Sequence, residues 1–314
     1  MRSSRLIRRV FISIFLVVTC GAVAYFLDPD RRLQGLVNGY PTFQGRSASA
    51  WRMDLNTKDD VQRSITFDKL KNGKADAVPV LVWVLRAGGQ SEARWHAADV
   101  LGQIGVDSRI AANDLIALLD DADPYVKTTA LKSLSRLAPK ATEPLPPELG
   151  GVVTALVGKF PELEAIRVVA DYKRHGAEAV PKLTELLTHP DAAVRWNAAR
   201  TLGKIGEPAK SAIPAIIAQF TDDVSLVREH AAEALGDIGP VAAESIPYLV
   251  KALQDKEWKV RKDAVRSLGL IGAAAKSVLP QVQAMKSDPE AEVREKATDA
   301  ERKIDPSLAG KQGK

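Results

Sequence analysis

Apolar and polar positions recur along this chain in a fixed order. The segment Val194 to Gly206 (VRWNAARTLGKIG) returns as Val227 to Gly239 (VREHAAEALGDIG) and Val260 to Gly272 (VRKDAVRSLGLIG), and starts again at Val293 (VREKATDAERKI), with a period of 33 residues. Its first, fifth, ninth and twelfth positions are apolar, as in Val227, Ala231, Leu235 and Ile238; this is the spacing of one face of an α-helix. Alanine at the fifth and usually the sixth position lets a neighbouring helix come close. Gly105, Gly206, Gly239 and Gly272 follow the last apolar residue, where a helix commonly ends in a left-handed glycine. Ahead of each segment lies a shorter apolar run, such as Ile213-Pro214-Ala215-Ile216-Ile217. Its early proline is tolerated because first-turn amides have no partner within the helix. Each unit is therefore a predicted helical hairpin.

A unit of this kind buries its apolar face only against its neighbours, so the pattern predicts an all-α solenoid. Upstream copies run from Ala93 to Gly105, from Val126 to Ala138, and in degenerate form from Val61 to Gly73, the last preceded by Ser47 to Leu55 as a leading helix. Between the third and fourth units the period fails. The prolines of Pro139 to Pro147 remove donors and restrict the residues before them, and the fourth unit ends in Tyr172 to Gly176 with His175 set against the isoleucine of the other copies. The expected order is a spacer at 28–44, a first block of repeats at 45–138, a proline-rich break at 139–150, a second block at 151–305 and a disordered tail at 306–314. Counted through, this gives about eight hairpins.

The units look like A-I-P-x-L-x-x-x-L followed by V-R-x-x-A-A-x-x-L-G-x-I-G, and so resemble the HEAT repeat, in particular its bilin-lyase-like (PBS lyase) class. The resemblance covers nearly all of the chain from about residue 45. It implies an internal ladder of aspartate and arginine. Asp222 with Arg228, Asp255 with Arg261, Asp288 with Arg294, and Asp121 with Lys127, stand six residues apart and are its expected rungs. A stripe of phosphate-binding arginines is the poorer reading, since each has a carboxylate supplied in register.

Arg2, Arg5, Arg8 and Arg9 precede 18 uncharged residues, Val10 to Leu27, which read as a membrane-directed segment. Three fates compete: an uncleaved anchor, cleavage after Ala22-Val23-Ala24, and lipidation at Cys20, where Thr19 fits a lipobox poorly. The arginine bias keeps the N-terminus in the cytoplasm, so a single pass of a bacterial inner membrane would put the repeats outside it. Cys20 is the only cysteine, which leaves the folded part without a disulfide and the compartment's redox state open. The net charge of +5 falls to about +1 once those four arginines are set aside. A nearly neutral solenoid argues against a nucleic-acid partner, which needs a clustered basic face.

Enzymatic readings come from the family. The HEAT-fold deoxyhypusine hydroxylase carries His-Glu pairs at the third and fourth positions of such helices and binds two irons between them. Here those positions read Trp95-His96, Thr128-Thr129, Trp196-Asn197, Glu229-His230, Lys262-Asp263 and Glu295-Lys296, none of them His-Glu. Bilin lyase activity rests on the class name alone. The glycines of Gly203 to Gly206 close a helix, whereas a phosphate loop needs its glycines to open one, and no nucleophile, base and orienting acid are marked out by spacing. No metal or cofactor is expected. There remains the solvent side of the second helices, which carries Trp95 and Asp99, Trp196 and Arg200, Glu229 and Glu233, and Lys262 and Arg266. Tryptophans among charges of both signs suit a protein or peptide partner. The plainer alternative is that each tryptophan covers the groove to the next unit. The expected function is a non-catalytic adaptor.

Overall fold

The computed structural model describes Val18, Asp28 and residues 30–308. Residues 10–27, expected from sequence to be membrane-directed, lie with Cys20 outside the described residues apart from Val18, as does the end of the tail. No described helix is long and apolar enough to cross a membrane.

The chain divides after Leu137 into two compact units. The first opens with α1 (Arg32–Asn38) and a two-residue hairpin of β1 (Thr42–Phe43) and β2 (Arg46–Ser47), in which Thr42 pairs with Ser47 and Phe43 with Arg46. Three helical hairpins follow: α2 (Ala48–Leu55) with α3 (Asp60–Asn72), α4 (Val78–Arg86) with α5 (Ser91–Ile104), and α6 (Ala112–Ala117) with α7 (Pro124–Leu137). The second unit holds five more. They are α8 (Val152–Val157) with α9 (Leu163–Asp171), α10 (Val180–Leu186) with α11 (Ala192–Ile205), α12 (Ile213–Ala218) with α13 (Ser225–Ile238), α14 (Ile246–Ala252) with α15 (Trp258–Ile271), and α16 (Leu279–Ala284) with α17 (Ala291–Ile304). The architecture is the expected α-solenoid, with eight hairpins among the described residues.

The repeated residues explain the packing. The apolar stripe is buried: Val194, Ala198, Leu202 and Ile205 are at most 4% exposed, and so are Val227, Ala231, Leu235 and Ile238. Successive second helices touch where the tenth residue of one unit meets the eighth of the next. A Cβ on Gly203 would lie 2.7 Å from Ala234 Cα, one on Gly269 2.7 Å from Ala300 Cα, and one on Gly236 2.7 Å from Ser267 Cβ. That first glycine of each Leu-Gly-x-Ile-Gly run therefore serves close approach. Where the eighth residue is a hydroxyl it also donates to the helix before it: Ser133 to Ala98 O at 2.7 Å, Thr201 to Ile166 O at 3.2 Å and Ser267 to Ala232 O at 2.7 Å.

The closing glycine differs from expectation in kind. Gly206 has φ 80° and ψ −144°, far from the left-handed helical cap and in a region open essentially to glycine alone. It turns the chain into a 3-10 segment, Glu207–Ala212, that delivers Pro214 to the first turn of α12.

The fourth hairpin keeps the period better than its sequence suggests. Lys173, 33 residues before Gly206, takes the positive φ of 50° in its place, and Tyr172 fills the isoleucine position, fully buried. His175 is thus not in the isoleucine position; it lies in the 3-10 segment Lys173–Ala179, where its Nε2–H donates to Glu143 O at 3.0 Å. The proline-rich stretch is irregular through Pro146, and Pro147–Leu149 then forms a single 3-10 turn.

Candidate functional site

The arginine ladder is present, with its rungs between hairpins rather than within them. Arg228 donates from Nε and NH2 to Asp255 at 2.7 and 2.9 Å, 27 residues on in the next hairpin. Arg195 grips Asp222 and Arg261 grips Asp288 in the same way. The residue six places back contributes its backbone: Arg228 NH1 donates to Asp222 O at 2.8 Å, Arg261 to Asp255 O and Arg294 to Asp288 O. In the first unit Asp121 is held by Arg94 at 2.8 and 3.0 Å, not by Lys127. The paired carboxyls Asp121, Asp222, Asp255 and Asp288 are all held below their usual range, against the cost of burial, by their arginines and by backbone N–H groups two residues on. The guanidinium groups of Arg195, Arg228 and Arg261 are each committed inside the fold, so these three arginines are structural. Arg294 has no carboxylate among the described residues and ends the row.

Of the other residues singled out by sequence, Trp196, Arg200, Glu229, Glu233, Lys262 and Arg266 lie on one face of α11, α13 and α15, whereas Trp95 and Asp99 lie on α5 in the first unit. Trp196 is half-buried. Its ring stacks on that of His230 in the next helix, centroids 4.9 Å apart, with the Arg167 guanidinium 6.0 Å from its centre. Lys204 bridges Glu233 at 3.1 Å and Asp237 at 2.6 Å, and Arg266 reaches the other oxygen of Asp237 at 2.8 Å. His230 Nδ1 and Glu233 Oε2 are 2.7 Å apart. This chain of pairs crosses the second helices of three successive hairpins and ties the face together. Arg200 and Glu229 are the exceptions: their side chains make no hydrogen bond or ion pair among the described residues.

Electrostatics separates two acids on this face. The His230 hydrogen bond and the Lys204 ammonium hold the Glu233 carboxyl down to about 2 despite its burial. Burial pushes the neighbouring Asp263 carboxyl up to about 6; Glu229 and Glu233 add to this, and Lys262, 3.5 Å away, only partly offsets it. Asp263 occupies the fourth position of its unit, where sequence reasoning looked only for a His-Glu pair. The available signal was its place beside the always buried fifth-position alanine, in line with the buried Asn197.

In the first unit Trp95 is half-buried against His96, and Asp99 pairs with Arg136 of α7 at 2.8 Å. His96 is 5% exposed and its Nδ1–H donates to Leu55 O at 2.6 Å; desolvation lowers its pKa and so disfavours the charged ring. The structure thus engages His96 with its own unit, as it does His230. Among the described residues no three His, Cys, Asp or Glu side chains gather where a metal ion could sit.

A family model described as HEAT repeats matches residues 59–146, 162–236 and 213–301. The chain belongs to the HEAT-repeat family. The match is to HEAT repeats as a whole, without distinguishing the bilin-lyase-like class. Among solved structures, a mutant of Kap121p aligns with 82% of this HEAT-repeat chain at 16% identity and a TM-score of 0.57, and the alignment takes in 33% of that protein, so this chain spans about a third of its length. This likeness is one of fold. An engineered protein aligns over 82% of this chain and 96% of its own at 22% identity and a TM-score of 0.39. Human deoxyhypusine hydroxylase in complex with glycerol aligns over 82% and 95% at 20% identity and a TM-score of 0.33. No curated protein matches the chain.

Proposed function

We propose that this HEAT-repeat chain is a non-catalytic adaptor that binds a protein or peptide through the α11, α13 and α15 face. The observation that carries the reading is the contrast on that face between paired and unpaired charge. Trp196 is linked through His230 to Glu233, and Lys204, Glu233, Asp237 and Arg266 are joined by ion pairs, whereas Arg200 and Glu229, on adjacent helices and opposite in sign, are left unengaged. A rigid surface that keeps two opposed charges available fits a partner of mixed polarity, because such charges set register at little ordering cost. A polyanion would meet as many acids as bases here. The repeats would stand outside a bacterial inner membrane, held by residues 10–27 or released from them, and their consensus favours the bilin-lyase-like class of HEAT repeat.

The test is a photo-crosslinking residue introduced at Arg200, at Glu229 and, as a control, at the exposed Tyr248 of α14. An adaptor gives the same adduct from the first two positions and not from the third. Arg200→Glu should remove the adduct formed at position 229 without changing the melting temperature. Equal labelling from all three positions, or none, would leave only a structural spacer.

A further inference from the structure

We infer that the first unit carries a phosphate-binding pocket, a site independent of the partner face. A pocket of about 360 Å³ opens between α1, α2 and α4, and three arginines line it: Arg31, Arg52 and Arg86. No acid is among its lining residues. The nearby carboxylates are committed elsewhere. Asp30 is bound to Arg46 and Arg32, and Asp54 to Arg46. Only Arg86 has an acidic partner, Asp114, with NH2 to Oδ2 at 2.9 Å, and that pair leaves the Arg86 side chain largely exposed. The Arg31 and Arg52 side chains make no ion pair or hydrogen bond among the described residues. Arg52 rests over the Trp83 ring, 5.5 Å from its centre, and Tyr40 packs against the same ring at 4.7 Å. The two aromatic rings make an apolar wall beneath the guanidinium groups, and Asn38 adds an amide at the rim.

Two unpaired guanidinium groups and a third on one concave site are an excess of positive charge that folding alone does not require. A guanidinium offers a flat fork of donors that matches phosphate oxygens two at a time. A carboxylate presents its acceptor sites in one plane, whereas a tetrahedral phosphate can engage forks from several directions at once. The arrangement therefore fits a phosphate group, with the Trp83 and Tyr40 rings available to whatever the phosphate is attached to. Free phosphate esters and the headgroup of an anionic phospholipid share this chemistry. Arg31 follows by four residues the stretch 10–27 that the sequence predicts to be membrane-directed, a spacing that would bring a headgroup as well as a soluble phosphate ester to the pocket.

The experiment uses the full chain in a neutral detergent, titrated separately with inorganic phosphate and with dihexanoyl phosphatidylglycerol, against potassium chloride at equal ionic strength. The melting temperature and tryptophan emission are followed. A saturable response to inorganic phosphate supports the site with free phosphate as a sufficient ligand; a response to the lipid alone supports it as a headgroup site. In either case Arg31→Gln/Arg52→Gln should abolish the response while melting normally without ligand. Arg52→Lys keeps the charge but loses the fork, and should raise the half-saturating concentration about tenfold, as the loss of one charged hydrogen bond does. The inference is overturned if chloride produces the same response, if neither phosphate saturates, or if the double glutamine variant still responds.

Discussion

Arg228 and Asp255 form a two-pronged ion pair across the boundary between two hairpins, 2.7 and 2.9 Å long, with their side chains 9% and 13% exposed. The same arginine ties back through NH1 to the carbonyls of Asp222 and Asp223. One side chain thus fixes the turn inside its own unit and clamps the next unit to it. Removing one partner of a buried pair strands the other, at about 3–5 kcal/mol. Arg228→Ala should lower unfolding stability by about that much, measured by urea denaturation. A double-mutant cycle with Asp255→Asn should show strong coupling. The cycle with Asp222→Asn should show about 0.5 kcal/mol or less, since the Asp222 carboxylate belongs to Arg195. Equal coupling in the two cycles would return the rung to the six-residue pairing.

Arg294 makes only the backbone half of these contacts. Arg294→Ala should therefore cost clearly less than Arg228→Ala, about 1 kcal/mol as for an ordinary hydrogen bond. A loss as large as that of Arg228→Ala would mean that the carbonyl contacts, and not the ion pairs, hold the ladder.

The tenth-position glycine gives a test of the close approach. A methyl on Gly203 would meet the Ala234 backbone at 2.7 Å, and backbone cannot swing aside as a side chain can. Gly203→Ala should destabilise by about 1–3 kcal/mol as overpacking does, although alanine is the better helix former by about 1 kcal/mol. A thermal melt showing a gain in stability would place the two helices farther apart than they stand here.

How much of this was legible follows from what repetition encodes. A helix face buried against an equivalent face must recur in every copy, so Val227, Ala231, Leu235 and Ile238 announced the fold. The ladder residues recurred too, but spacing along the chain cannot say whether an arginine meets the aspartate six residues before it or 27 after it. That choice depends on how far the next hairpin is displaced. Register was misread where chemistry substituted for identity: Lys173 adopts the positive φ that glycine takes elsewhere, and Gly176 nearby drew the alignment off by three. The pocket around Arg52 and Trp83 was invisible for another reason. It joins non-repeating residues of α1 to two hairpins, and no period reports on such a junction.

Trp196 and His230 show why a solvent-side tryptophan is not a free one. The indole is half-buried and stacked on the imidazole of the following helix. Such a pair contributes about 0.5–1.5 kcal/mol beyond the area it covers. Trp196→Ala should then lower the melting temperature appreciably, whereas removal of a fully exposed side chain would leave it nearly unchanged. Trp196→Ala and His230→Ala should be non-additive in a thermal-melt cycle. Additive losses would mean that the rings lie side by side without interacting.

The last prediction uses the two acids of the same face. A folded-state carboxyl raised to about 6 holds its proton where the unfolded chain, near its ordinary value of about 3.9, has released it. Its contribution therefore falls as pH rises from about 4 to about 6, and stays lost above that, in the sense required by proton linkage. The amount is on the order of 3 kcal/mol. Glu233 works in the opposite sense: with its carboxyl held near 2, it stabilises above about pH 4 and loses that contribution only in stronger acid. The two windows meet only near pH 4, and Glu233 titrates alike in the parent and in an Asp263 variant, so the difference between those two proteins from pH 4 to 8 isolates Asp263. Asp263→Asn removes the titration while keeping the shape. It should match the parent protein near pH 4 and become more stable than it, by about 1 kcal/mol or more, at pH 8, with the difference opening between pH 4 and 6 in urea unfolding curves. A parent protein that is the more stable of the two at pH 8 would show that Lys262 holds Asp263 ionised, and that the ion pair, not burial, governs this carboxyl.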